Sequence, residues 1–177
     1  MNPIVYTPLL DLHARWGPQE FGKTAQKFLA IAFRYAGYQR IVERGVQGVD
    51  VDAAGDGLVA YTTEVKTTTS LKVLFAAKDV EGLNDRAAEG YTTVLACLFL
   101  RSVLSNWIFT DAGALRVGQL KEDQLRPGRF RQLETLIIPQ FDRAVTDHFP
   151  GAMQSSQGYL DEVLRNLKIT TGDQGRS

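Results

Sequence analysis

Cysteine is nearly absent from this chain of 177 residues. The single Cys97 excludes an intrachain disulfide and any cysteine-based zinc site. Histidine is almost as scarce, and His13 and His148 lie too far apart to share a ligand spacing. Net charge is missing as well: 20 Lys and Arg stand against 20 Asp and Glu. That balance excludes a polybasic mode of binding and leaves room for a local basic face. Apolar runs stop at about eight residues, far short of the roughly 20 that a membrane span requires. Met1 to Tyr6 does not pair a basic stretch with a long apolar one, so neither a signal peptide nor a membrane partner is expected. A cytoplasmic setting is the expectation. Disorder is excluded for most of the chain, because 44% of the residues are hydrophobic and 10% are aromatic.

The apolar residues are periodic. Phe21, Ala25, Phe28, Leu29, Ala32, Phe33 and Ala36 recur at helical spacing and predict a helix over 19–36, with Pro18 in its first turn and Gly37 at its end. Residues 1–17 fit a short helix or an ordered arm. Residues 38–43 read as a strand. The stretch 47–53 alternates, with Val49 and Val51 facing one way and Asp50 and Asp52 the other. After a turn at 55–57, residues 58–67 alternate again, with Glu64 and Lys66 on one face and Tyr61, Thr63 and Val65 on the other. A Thr-rich connection over 67–78 leads to Asp79, a candidate N-cap. Val80, Leu83, Ala87 and Ala88 then make a helical stripe that Gly90 stops.

Tyr91 to Leu100 is a nearly continuous apolar run, as in a strand buried on both faces, and Cys97 within it reads as a core residue. Strand, helix and strand in that order imply a right-handed crossover and a parallel pair. A further strand is expected at 106–110. The last third reads as helices over 130–147, with Pro139 kinking or dividing the first, and over 159–169. Residues 170–177 read as a frayed tail, and one domain spans 1–177.

The chemistry concentrates in Gly48-Val49-Asp50 and, thirteen residues after Asp50, in Glu64-Val65-Lys66. Two carboxylates can hold Mg²⁺ or Mn²⁺, with water and phosphate oxygens completing the shell. Such an ion lowers the pKa of a bound water and neutralises phosphoryl charge. Lys66, two residues beyond Glu64, shares its face and can orient water or offset charge developing on phosphate. The Val65 carbonyl could add a metal ligand. Asp50 and Glu64 share a face only if the connecting loop has an odd number of residues or a bulge restores the phase. A three-residue loop over 55–57 would pair Asp50 with Thr62 and make Glu64 its diagonal neighbour.

These residues and the order of elements around them resemble the PD-(D/E)xK nuclease superfamily, the restriction endonuclease-like fold that includes archaeal Holliday-junction resolvases. The resemblance covers roughly residues 19–110. It implies an α/β fold with a central mixed β-sheet flanked by helices, here extended by C-terminal helices over about 128–169. It also implies a Mg²⁺- or Mn²⁺-dependent endonuclease acting on DNA, with Asp50 and Glu64 as metal ligands and Lys66 as the catalytic lysine. Many members add an acid from the first helix, for which Glu20 and Gln26 are the candidates; if the position is Gln26, that acidic role is lost or weakened. Val49 stands where the family's proline would be.

Asp52 is a further candidate ligand. Lys72 and Lys78 are candidate phosphate contacts, and Arg126, Arg129 and Arg131 form a local basic cluster that is read against a plain surface turn. Cutting both strands usually takes two sites, so a homodimer is expected, with the C-terminal helices as candidate dimer surfaces. The rival reading is a catalytically inactive nuclease fold serving as a binding or assembly module. RNA in place of DNA is not distinguished by any motif.

Overall fold

The computed structural model describes residues 2–44, 49–104 and 106–171. The chain opens with helix α1 (Pro3–Tyr35), bent at Gly17, where φ of +80° interrupts the helix just before Pro18. The undecided N-terminal segment is therefore the first limb of a bent helix. Strands β1 (Arg40–Glu43), β2 (Val51–Ala54), β3 (Tyr61–Thr68) and β4 (Lys72–Phe75) follow, then helix α2 (Ala77–Ala88). Next come β5 (Thr92–Phe99), β6 (Trp107–Asp111), β7 (Gly118–Lys121), the single turn α3 (Glu122–Leu125), the long helix α4 (Arg131–Asn166) and β8 (Thr170–Thr171).

Six strands form one mixed sheet in the order β6-β5-β3-β2-β1-β8. As β3–α2–β5 predicts, β3 and β5 are parallel; β2–β3 and β5–β6 are antiparallel. The α/β expectation of a central mixed sheet flanked by helices holds. Five details differ from the sequence reading. The connection after β3 contains β4, which pairs with β7 in a separate two-stranded ribbon. Asp79 is not the N-cap of α2; it lies in the first turn, and its carboxylate accepts from the N–H of Ala76 at 2.8 Å. The break in α4 falls at Ser156 (φ +46°) and not at Pro139. Thr170 and Thr171 are not frayed but pair with β1; residues 172–177 lie outside the described residues. Finally, the two C-terminal helices are limbs of one long helix, α4, whose buried residues share a core with those of α1.

The sheet has two unlike faces. On one, α1 and α4 close a large core in which Phe28 and Trp107 both meet Phe141 edge-on, with ring centroids 6.2 and 5.1 Å apart. Burying such side chains contributes about 1.5–3 kcal/mol each, so this face carries most of the folding energy. On the other face a smaller cluster gathers Leu95, Cys97 and Phe99 of β5 under α2 and the ribbon. Cys97 is fully buried there, as its apolar setting predicts. Among the described residues no helix is long and apolar enough to cross a membrane.

Candidate active site

The site is assembled by strand register. Thr62 lies opposite Asp52 and Thr63 opposite Val51, so Asp50, one residue further, falls across from Glu64. The three-residue loop predicts Thr62 opposite Asp50; the observed loop is longer by two, which preserves the phase and brings the carboxylates directly across. Gly57, at φ +73°, occupies a left-handed position in that turn. The pairing itself is incomplete at this end. Asp50 sits in a bend before β2, its N–H donating to the Thr63 carbonyl at 3.1 Å. The bend breaks the predicted alternation: Val51 packs toward the helices, whereas Val49 joins the smaller cluster. Residues 47 and 48 of that predicted strand lie outside the described residues.

In the parallel β3–β5 ladder Glu64 stands opposite Leu95 and Lys66 opposite Cys97, which puts both on the face of the smaller cluster. There four charged groups meet. Asp50 Oδ2 accepts from the Val65 N–H at 2.7 Å. Lys66 Nζ lies 2.7 Å from Glu64 Oε1 and 2.9 Å from Asp79 Oδ2. Glu64 is 5% exposed, and its Oε2 is buried with no hydrogen-bond partner.

The electrostatics follow from this crowding. Burial pushes the Glu64 carboxyl up to about 8, with the Asp50 charge adding to the rise and Lys66 opposing it. Burial likewise raises Asp50, to about 6, against the opposing pull of the Val65 amide and Lys66. Burial disfavours the Lys66 ammonium, but Glu64 and Asp79 outweigh it and raise that pKa. At Asp79 burial is again the largest influence, yet Lys66, the Ala76 amide and the neighbouring Glu64 carboxyl together hold its pKa below the usual carboxylate value. One lysine therefore fails to satisfy the negative potential of the pocket.

The donor set fits a hard divalent cation. Two carboxylates, one with a buried unpartnered oxygen, suit an ion such as Mg²⁺ that keeps several waters. Among the described residues no three His, Cys, Asp or Glu side chains cluster tightly enough to hold a metal by themselves.

The other candidates fall elsewhere. Asp52 is buried and neutralised by Arg44 at 2.7 Å and by Arg86, with Thr62 Oγ1 donating to it at 2.7 Å. It braces β2 to β1 and α2. Glu20 accepts from Ser156 and Gln157, both at 2.6 Å, and ties α1 to α4 at the break in α4. Gln26 does approach the site: its Nε2 lies 2.7 Å from both Glu43 Oε1 and the Arg44 carbonyl, and 3.3 Å from the Asp50 carbonyl. It grips the backbone at both ends of the β1–β2 connection. Lys72 and Lys78 are exposed. Arg129 is clamped to Glu134 through two 2.7 Å bonds, while Arg126 is exposed and pairs with Glu122.

Asp79 was not anticipated as a site residue. An acid in the first turn of a helix looks the same in sequence whether or not a distant lysine reaches it.

The six-stranded mixed sheet flanked by helices is that of the restriction endonuclease-like fold. The chain is similar to a solved structure of that fold, Hjc from Archaeoglobus fulgidus, a Holliday junction resolvase from an archaeal hyperthermophile. Identity is 22%, the match covers 64% of this chain and 95% of that chain, and the TM-score is 0.51. No family model matches the chain. No curated protein matches it either.

Proposed function

We propose that this chain is a divalent-metal-dependent DNA endonuclease that hydrolyses phosphodiester bonds, with restriction-like or junction-resolving action. The observation that carries the reading is the buried, unpartnered Glu64 Oε2, set across the strands from Asp50 and beside Lys66. The fold shared with a junction resolvase supports it.

Asp50 and Glu64 would hold Mg²⁺ or Mn²⁺, and the Val65 carbonyl could join them. The ion would supply charge neutralisation on the phosphoryl oxygens and a more acidic water. Lys66 Nζ now lies between Glu64 and Asp79. With Glu64 engaged by a cation, Asp79 would still hold the ammonium, which could then orient the attacking water or offset charge on phosphate. Gln26 would help to fix where Asp50 emerges, through its bonds to the Arg44 and Asp50 carbonyls and to Glu43. Two copies of the chain would place one such site on each strand.

The test is cleavage of branched and duplex DNA with Mg²⁺. Lys66→Ala and Asp50→Asn should abolish it. If both variants cut at the parental rate, the assigned roles are wrong.

One observation favours the rival, a non-catalytic module: α1 presents the amide of Gln26 beside the site where an acid would serve a metal. An inert module would show no Mn²⁺ affinity dependent on Asp50 and Glu64.

A further inference from the structure

The sheet face that carries Glu64 and Lys66 continues into a second feature. Beyond the C-terminal end of β5 lies a cleft of about 470 Å³, lined by Phe99, Ile108, Asn106, Arg101, Arg126 and Arg129 among others. Phe99 and Ile108 belong to the same cluster as Cys97, which pairs with Lys66, so the cleft and the charged cluster share one face. Phe99 is two residues beyond Cys97, so the cleft floor begins roughly 7 Å along the strand from Lys66. Duplex DNA rises about 3.4 Å per base pair. For a duplex running along the strand, that distance is about two base steps.

A smaller adjoining hollow of about 310 Å³ shares Arg101, Arg126 and Glu122 and adds Lys121 and Asp123. The ribbon register sets Lys121 directly opposite Lys72, on the ribbon face away from buried Val73 and Leu120. Four cationic side chains thus border one path, in a chain whose overall charge is zero. Arg129 is spent on Glu134, and the exposed pair of Arg126 with Glu122 is weak enough for a phosphate to displace.

We infer that this cleft binds the DNA backbone flanking the scissile phosphate, with Arg101 and Arg126 as the main phosphate contacts and Lys72 and Lys121 at its rim. The inference rests on the nuclease reading above and says where the substrate lies.

The experiment is fluorescence anisotropy of a labelled duplex with the whole chain, in EDTA so that no cleavage occurs, over a series of salt concentrations. The double variant Arg101→Ala, Arg126→Ala should bind roughly tenfold more weakly at low salt and lower the slope of log affinity against log salt by about two. Glu122→Gln, which removes the competing anion, should bind more tightly, a gain that misfolding cannot produce. With Mg²⁺ the double variant should raise KM and leave kcat unchanged, whereas Lys66→Ala should bind normally and fail to cut. Parental affinity and salt slope in both cleft variants would overturn the inference while leaving the nuclease reading intact. A parental chain that binds and cuts no DNA would remove both. Normal binding with no cutting by the parental chain would overturn only the catalytic roles.

Discussion

The two faces of the central sheet use the same strands for different ends. The face under α1 and α4 is apolar and interlocked, with Phe28, Trp107 and Phe141 at its centre. The opposite face has a thinner apolar cluster and places Asp50, Glu64, Lys66 and Asp79 at its edge. Strand alternation makes the division possible: in β3, Thr63 and Val65 serve one face while Glu64 and Lys66 serve the other. The large core supplies the stability that lets the other face hold carboxylates in surroundings that disfavour their charge.

The contrast is most strongly tested in the large core. Phe141→Ala should lower unfolding free energy by about 3–5 kcal/mol in denaturant titration. At low temperature the folded fraction should still cut at the parental rate. A specific loss of cutting in that folded fraction would mean the two faces are not independent.

Glu64→Gln makes the opposite demand. Cleavage should fall roughly 10²–10³-fold, the scale seen on removing one electrostatic element of a site. Stability of the metal-free chain should move the other way. Between about 4.5 and about 8, folded Glu64 binds more protons than it does unfolded, so metal-free stability falls as pH rises through that window. Asp50 adds the same trend between 3.8 and about 6. Melting curves from pH 5 to 8 should show a decline in the parental chain and a flatter profile in Glu64→Gln. An equal decline in both would remove Glu64 as its source.

Asp79→Asn is the finer probe. If Asp79 only steadies Lys66, cleavage should drop by about tenfold, which is about 1.4 kcal/mol. Mn²⁺ affinity should stay near the parental value. A matching loss of Mn²⁺ binding would make Asp79 a ligand and not an anchor.

Much of this was legible in the sequence because period and register are local. The stripe from Phe21 to Phe33 announces the second limb of α1, and the apolar run around Cys97 announces β5. Parity alone told that Asp50 and Glu64 must share a face if they act together. What was hidden depends on contacts far apart in sequence. Short β4 and β7 find each other across more than 40 residues, and neither pattern stands out alone. Asp52 alternates like Asp50, yet Arg44 and Arg86 claim it. Asp79 reads as a cap because its bond to Lys66 exists only once α2 has packed on β3.

The proposed nuclease chemistry requires that Asp50 and Glu64 grip one hard cation jointly. Calorimetric titration with Mn²⁺ near pH 7.5 addresses it directly. One ion should bind per chain with release of a proton, with no binding in Asp50→Asn or Glu64→Gln and retained or tighter binding in Lys66→Ala. No binding by the parental chain, or equal affinity in the two carboxylate variants, would contradict it.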